Sequence, residues 1–180
     1  GQASRALFRY YKQHGYTIAQ KTEMIMANFL DNCHYQIGGK GKAMVVADSR
    51  ANAVRYYLAI KKYIADHAEQ CVGCDVMIAF SGEVTLDDYP SEKPFTEATM
   101  NLDENGKYIT TDKKFRKAFH GSQYNILVVA NKYQTGFDEP LLHTMYVDKK
   151  LRDVTAVQTL SRLNRTAPGK NSTFVLDFEN

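Results

Sequence analysis

Five short apolar runs constrain this chain more than any other feature of its sequence: Ala43 to Ala47, Val76 to Phe80, Ile126 to Ala130, Thr144 to Val147 and Thr173 to Leu176. Each is continuous rather than alternating, and they are rich in Val, Ile, Met and Phe. A strand covered on both faces needs that pattern, and strands of that kind belong to parallel sheets.

Helical patterns separate the runs. In Arg50 to Ile64, Ala53, Tyr57, Ile60 and Ile64 share a face that excludes Arg55, Lys61 and Lys62. A second helix is expected from Asp112 to Phe119. A third is expected from an N-cap at Asp153 to about Arg165, stopped by Pro168 and Gly169. Strand and helix alternate, as in α/β folds. Two segments stand outside the alternation. The first is a leading appendage over residues 1–40, with a helix expected over Lys21 to Tyr35. The second is a polar, turn-rich insertion at about 85–110 inside a domain spanning 41–180.

The length of 180 residues suits one domain plus such an appendage. No apolar stretch reaches the ~18 residues a membrane span needs. Residues 1–16 lack the apolar core and cleavage site of a secretory signal, and the absence of an initiator Met suggests a fragment. Three cysteines, an odd number, argue against a closed disulfide framework and fit a reducing compartment. A net charge of +3 decides nothing about nucleic acid, because that inference needs clustering on one surface.

Four places could carry chemistry. In the last expected helix Gln158, Arg162 and Arg165 stand at i, i+4 and i+7, on one stripe at about 100° per residue. Ala156, Leu160 and Leu163 would dock the opposite stripe on the sheet. Two guanidiniums beside an amide suit a polyphosphate, since the planar fork grips phosphate oxygens in two places. A solvated helix face is the plainer reading of the same octapeptide. The segment Lys132 to Pro140 follows an apolar strand, where α/β sheets place ligands. Gly136 would let backbone approach a phosphate, Thr135 could donate to one, and Asp138 could accept from a ribose hydroxyl; a simple turn before Pro140 also fits. Asp48 to Asn52 and Ser81 to Glu83 follow strands in the same way, at junctions where free N–H groups attract anions.

Taken in order, these residues resemble a known series. Gln-x-x-Ser-Arg-x-x-Arg resembles helicase motif VI, Thr-Gly-Phe-Asp-Glu-Pro resembles motif V, and Ala-Met-Val-Val-Ala-Asp-Ser-Arg resembles motif IV. Over roughly Lys42 to Asn180 the series is similar to the second RecA-like motor domain of superfamily-2 translocases. Its detailed forms look like the R (restriction and motor) subunit of type I restriction enzymes. The resemblance implies a P-loop NTPase-type α/β fold, a mainly parallel sheet with helices on both faces. It implies that Arg165 is an arginine finger, that Arg162 faces the γ-phosphate, that Gln158 orients the site, and that Gly136 and Asp138 help bind ATP. It implies that Thr135, Gly136, Ser49 and Arg50 lie on a double-stranded DNA path, with Ser81 and Gly82 as a further contact. ATP with Mg²⁺ is the implied cofactor. The implied partners are DNA, a first motor lobe and nuclease domain upstream in the same chain, and methylation and specificity subunits, in a prokaryotic cytoplasm.

Two departures matter. Ser161 stands where many superfamily-2 proteins have Gly, which weakens the RNA-helicase branches more than the restriction motors. No Gly-x-x-x-x-Gly-Lys-Ser/Thr occurs: Gly38 to Lys42 is followed by Ala43 and precedes a strand. The Mg²⁺ ligands are therefore expected on the first lobe, and the chain alone should not hydrolyse ATP appreciably.

Other features are set aside. Cys71 and Cys74 form one Cys-x-x-Cys without a second pair, Asn101 to Asp112 mimics a calcium loop imperfectly, and no metal site is expected. Tyr56 and Tyr57 are read as core and surface. The rival readings are a non-catalytic nucleic-acid or subunit docking module, another superfamily-2 DNA or RNA helicase, and, last, a Rossmann-like enzyme, for which no Gly-x-Gly-x-x-Gly follows the first strand.

Overall fold

The computed structural model describes residues 1–3, 5–7 and 16–179; the stretch read for a secretory signal lies partly outside them. Its strands are β1 (Lys42–Ala47), β2 (Val76–Ala79), β3 (Glu83–Val84), β4 (Phe95–Thr96), β5 (Ile126–Val129), β6 (Leu142–Asp148) and β7 (Phe174–Asp177). The longer helices among the described residues are α1 (Ile18–Asn28), α2 (Arg50–Asp66), α3 (Asp112–His120) and α4 (Asp153–Leu160). Five strands form one sheet in the order β2-β5-β1-β6-β7, and every neighbouring pair is parallel.

Alternation along the buried strands builds two cores. Ala43, Val45 and Ala47 of β1 face α1 and α2, together with Ile25, Met26, Phe29, Ala53, Tyr56 and Ile60. Met44 and Val46 face the other side, with Phe115 and Phe119 of α3 and with Leu163. Helices cover both faces of a parallel sheet, the RecA-like α/β arrangement expected from the sequence.

The fifth strand departs from expectation. The run Thr173 to Leu176 has the pattern of a buried strand, but β7 runs one residue later and lies at the sheet edge, with Phe174 and Val175 38% and 40% exposed. An apolar run does not distinguish an edge strand from a central one, because the sheet order decides which strand has a neighbour.

The leading segment is built into this body. Thr17 and Gln20 form a capping box, so α1 starts three residues before the expected Lys21. The α-helix stops at Asn28 and continues as a π-turn over Phe29–Cys33. Lys21 Nζ reaches both oxygens of Asp148 at 2.9 and 3.0 Å, and the Tyr56 hydroxyl donates to the same carboxylate at 2.5 Å. Asp148 is 6% exposed, so this triad ties α1 and α2 to the end of β6 away from water.

Residues 85–110 protect the free edge of β2. β3 pairs antiparallel with β4, and the Asn101 side chain accepts from Ile78 N and donates to Ile78 O, both at 2.9 Å. That amide takes the place of a neighbouring strand, which manages an otherwise open edge. The segment that mimics a calcium loop is a hairpin turn: Asp103 Oδ1 accepts from the backbone N–H groups of Asn105 and Lys107, and Leu102 bridges to Tyr108.

Candidate functional site

A parallel sheet puts the carboxyl ends of all its strands at one edge, and the loops after β1, β2, β5 and β6 gather there. Four of the predicted DNA-contact residues form one group. Ser49 caps α2, its hydroxyl accepting from Asn52 N at 3.1 Å, so that hydroxyl is already used in starting the helix. Arg50 is exposed and donates through Nη1 to Ser81 O at 3.0 Å. Gly82 has φ +76°, and a Cβ there would lie 2.7 Å from the Arg50 guanidinium. The loops after β1 and β2 are thus joined by an arginine that keeps other donors free for an anion.

Thr135, the fifth predicted DNA contact, lies on the loop after β5. That loop alternates anchors and exposed residues. Tyr133, Gln134, Phe137 and Glu139 are buried, while Thr135, Gly136 and Asp138 face solvent. The rings of Tyr133 and Phe137 lie 5.0 Å apart, and Phe137 meets Phe119 of α3 at 5.9 Å. The Tyr133 hydroxyl donates to Asp112 at the start of α3, and its burial, with that bond, pushes the phenol above its usual range. Glu139 accepts from His120 Nδ1 at 2.8 Å. Anchored on both sides, the loop holds up Gly136, whose φ of +75° suits glycine and leaves open space where a side chain would stand.

The last helix differs from its reading. Arg152, not Asp153, holds the N-cap position and makes no capping hydrogen bond; Asp153 enters the first turn at φ +52°. Its carboxylate lies within the first turn, where helix N-termini favour negative charge. The α-helix ends at Leu160, a 3₁₀ turn covers Ser161–Asn164, and Arg165 is extended at φ −68°, ψ 138°. Gln158, Arg162 and Arg165 therefore do not share one α-helical stripe. The Gln158 carbonyl accepts from Ser161 Oγ at 2.8 Å and from Arg162 Nε at 3.3 Å, so two side chains compete for an acceptor that the helix ladder would use. The docking face shifts as well: Thr159 and Leu163 are buried, whereas Leu160 is 37% exposed.

Tightening the helix end delivers Arg165 to the neighbouring loop. Arg165 Nε lies 3.0 Å from Asp138 Oδ1, with both side chains more than half exposed. Arg162 is half-buried and turns back on its own segment, its Nη2 donating to Ser161 Oγ at 3.2 Å. Gln158 is exposed. The arrangement presents the Arg165 guanidinium, a glycine without a side chain and a carboxylate at the sheet edge, donors and an acceptor that fit a polyphosphate bearing a hydroxylated sugar.

Sequence reasoning missed the link beneath these groups. Gln134 Nε2 donates to Thr159 Oγ1 at 2.9 Å, and Gln134 Oε1 accepts from Lys149 Nζ at 2.9 Å. Lys149 also donates to Asn131 Oδ1 at 2.7 Å. The only sequence signal was polarity at two positions flanked by apolar or turn residues.

Cys71 and Cys74 are free, buried thiols, and burial pushes Cys74 up to about 12. Thiols held protonated are poor metal ligands and nucleophiles. Among the described residues no group of three or more His, Cys, Asp or Glu side chains could hold a metal ion, and no helix is long and apolar enough to cross a membrane. Tyr56 and Tyr57 are both buried in the core.

Comparison with known proteins bears on the same residues. The family model for type I restriction enzyme subunit R domain 3 matches residues 82–180, more than half of the chain. A type I restriction enzyme MjaVIIIP endonuclease subunit from Methanocaldococcus jannaschii is 31% identical over 142 residues, covering 77% of this chain and 13% of the relative. A type I restriction enzyme SauCOLORF180P endonuclease subunit from Staphylococcus aureus is 37% identical over 84 residues, 46% of this chain and 9% of the relative. The chain thus spans about an eighth, or less, of the curated relatives it matches. The solved fragment of an HsdR subunit of a type I restriction enzyme from Vibrio vulnificus superposes over 89% of this chain and 26% of its own, with a TM-score of 0.58 at 12% identity, and so shares its fold. With a parallel α/β domain and these matches, the chain belongs to the R subunit family of type I restriction enzymes.

Proposed function

We propose that this chain is the second motor lobe of an ATP-dependent double-stranded DNA translocase, working within the R subunit of a type I restriction endonuclease. The observation that carries the reading is the juxtaposition of Arg165 with Asp138 at the carboxyl edge of the sheet. Arg165 is the arginine finger, Arg162 the second cation toward the γ-phosphate, and Gln158 orients the site. Asp138 and Gly136 lie against the nucleotide from the loop after β5. ATP, when bound, supplies the phosphoryl group whose transfer to water drives the cycle. Its Mg²⁺ ligands and phosphate-cradling loop belong to a first motor lobe upstream in the same chain. The guanidiniums act by staying charged and fixed in direction, which costs little rearrangement as negative charge develops on the transferring group.

Ser49, Arg50, Ser81, Gly82 and Thr135 meet the DNA backbone along the same edge. Contacts of this kind hold a duplex in place without reading its sequence, which leaves recognition to a separate specificity subunit beside the methylation subunit. Lobe closure on the nucleotide then shifts this edge along the duplex.

The test is duplex affinity of the full-length subunit, measured across a salt series with and without a non-hydrolysable ATP analogue. The proposal expects nucleotide to change the affinity and Arg50→Ala to lower the salt slope by about one. Affinity indifferent to nucleotide would instead support a docking module whose arginines merely bind phosphate backbone.

A further inference from the structure

We propose that Gln134 and Thr159 are a positioning pair that transmits DNA contact at the loop after β5 to the arginines beyond α4, an inference that rests on the function proposed above. The pair is buried, with Gln134 3% and Thr159 0% exposed. Burying two polar side chains between a loop and a helix gains less than burying apolar ones unless each finds a partner. Here each does, in a defined direction. The Gln134 amide donates to Thr159 Oγ1 and accepts from Lys149 Nζ, and Lys149 in turn donates to Asn131 Oδ1 at the start of the loop.

Position in the chain gives the network its leverage. Gln134 immediately precedes Thr135 and Gly136, the exposed tip of the loop. Thr159 immediately follows Gln158, and Arg162 lies three residues further on, where the α-helix gives way to the 3₁₀ turn. Tyr133 and Phe137 pin the loop in the aromatic cluster on either side. A displacement of Thr135 and Gly136 on a DNA backbone therefore pivots between two fixed rings, and the buried group at the pivot that is bonded to α4 is Gln134. An apolar contact would let the helix slide against the loop, whereas a hydrogen bond from an amide fixed at both ends holds one register. Lys149 sets that amide's orientation, because its ammonium offers only donors and so holds the Gln134 oxygen toward itself.

The experiment uses the full-length R subunit assembled with its partner subunits and compares Thr159→Val, Thr159→Ser and Lys149→Met with the parent. Thr159→Val keeps shape and removes the acceptor. The expected result is a fall of about tenfold in DNA-stimulated ATP turnover, with duplex affinity and KM for ATP unchanged and the thermal midpoint somewhat lowered, because Gln134 Nε2 is left buried without its acceptor. Thr159→Ser, which keeps the hydroxyl, restores stimulation, and Lys149→Met weakens it. Full stimulation of folded Thr159→Val overturns the proposal. Should that variant fail to fold, Lys149→Met decides, full stimulation again overturning the proposal. Arg165→Ala run in parallel separates the two ideas: turnover in Arg165→Ala removes the reading of the arginines, while an inactive Arg165→Ala beside a fully stimulated Thr159→Val removes only the coupling pair.

Discussion

Arg165 Nε lies 3.0 Å from Asp138 Oδ1, joining the residue that leaves the last 3₁₀ turn to the loop after β5. Both side chains are exposed by more than half, so water competes for each charge. The contact holds the guanidinium at the sheet edge without burying it, which leaves it free to exchange one anionic partner for another.

Asp138→Asn should accordingly change the stability of the chain by less than about 1 kcal/mol, as for other exposed ion pairs. Urea denaturation of the isolated chain measures it. A loss several times larger would mean that the pair is a structural clamp and not an exchangeable contact.

The Lys21–Asp148–Tyr56 triad behaves in the opposite way because its carboxylate is buried. Lys21→Met removes the cation and leaves the charge on Asp148 with only a phenol to face, which should cost about 3 kcal/mol. A fall in the thermal midpoint, reported by loss of near-ultraviolet dichroism, would register it. An unchanged midpoint would show that α1 adds little to the body it packs against.

Lys42 gives the fold a pH dependence. Its ammonium is buried, donates to Gly121 O at 2.8 Å and to Tyr124 O, and burial lowers it to about 8 against a facing Glu139. The usual value is 10.5, so between 8 and 10.5 the unfolded chain binds more protons than the folded one. Stability should therefore rise with pH through that window, the contribution being absent below it. Comparing the parent with Lys42→Met at about pH 7.5 and about pH 9.5, the parent should gain roughly 2 kcal/mol relative to the variant. A difference constant with pH would mean that the lysine keeps an ordinary affinity for its proton.

Much of the architecture was legible because the pattern needed is local. The runs around Val45, Ile78 and Val128 are continuous and apolar, and they became central or shielded strands; Ala53, Tyr57 and Ile60 share the buried face of α2 as their spacing required. Two features depended on contacts distant in sequence, and one on local side-chain hydrogen bonds that an apolar period does not report. Strand order left β7 at the edge although its composition matches the others. Hydrogen bonds to the Gln158 carbonyl tightened the last helix into a 3₁₀ turn, moving Arg165 off the expected stripe and toward Asp138. The capping box that starts α1 was present in Thr17 and Gln20, but the triad that fastens the helix to β6 spans residues 21, 56 and 148, which no local period connects. The candidate site was legible as residue types after strands, while the buried amide of Gln134 beneath it was visible only once loop and helix were folded together.

The most direct test of the central claim is single-turnover ATP hydrolysis by the full-length R subunit, with its partner subunits and DNA, comparing the parent with Arg165→Ala while ATP binding is followed separately. If Arg165 stabilises charge on the transferring phosphoryl group, the chemical step should slow by about a thousandfold or more with ATP still bound. Hydrolysis at the parental rate would contradict the account and leave Arg165 a surface cation paired with Asp138.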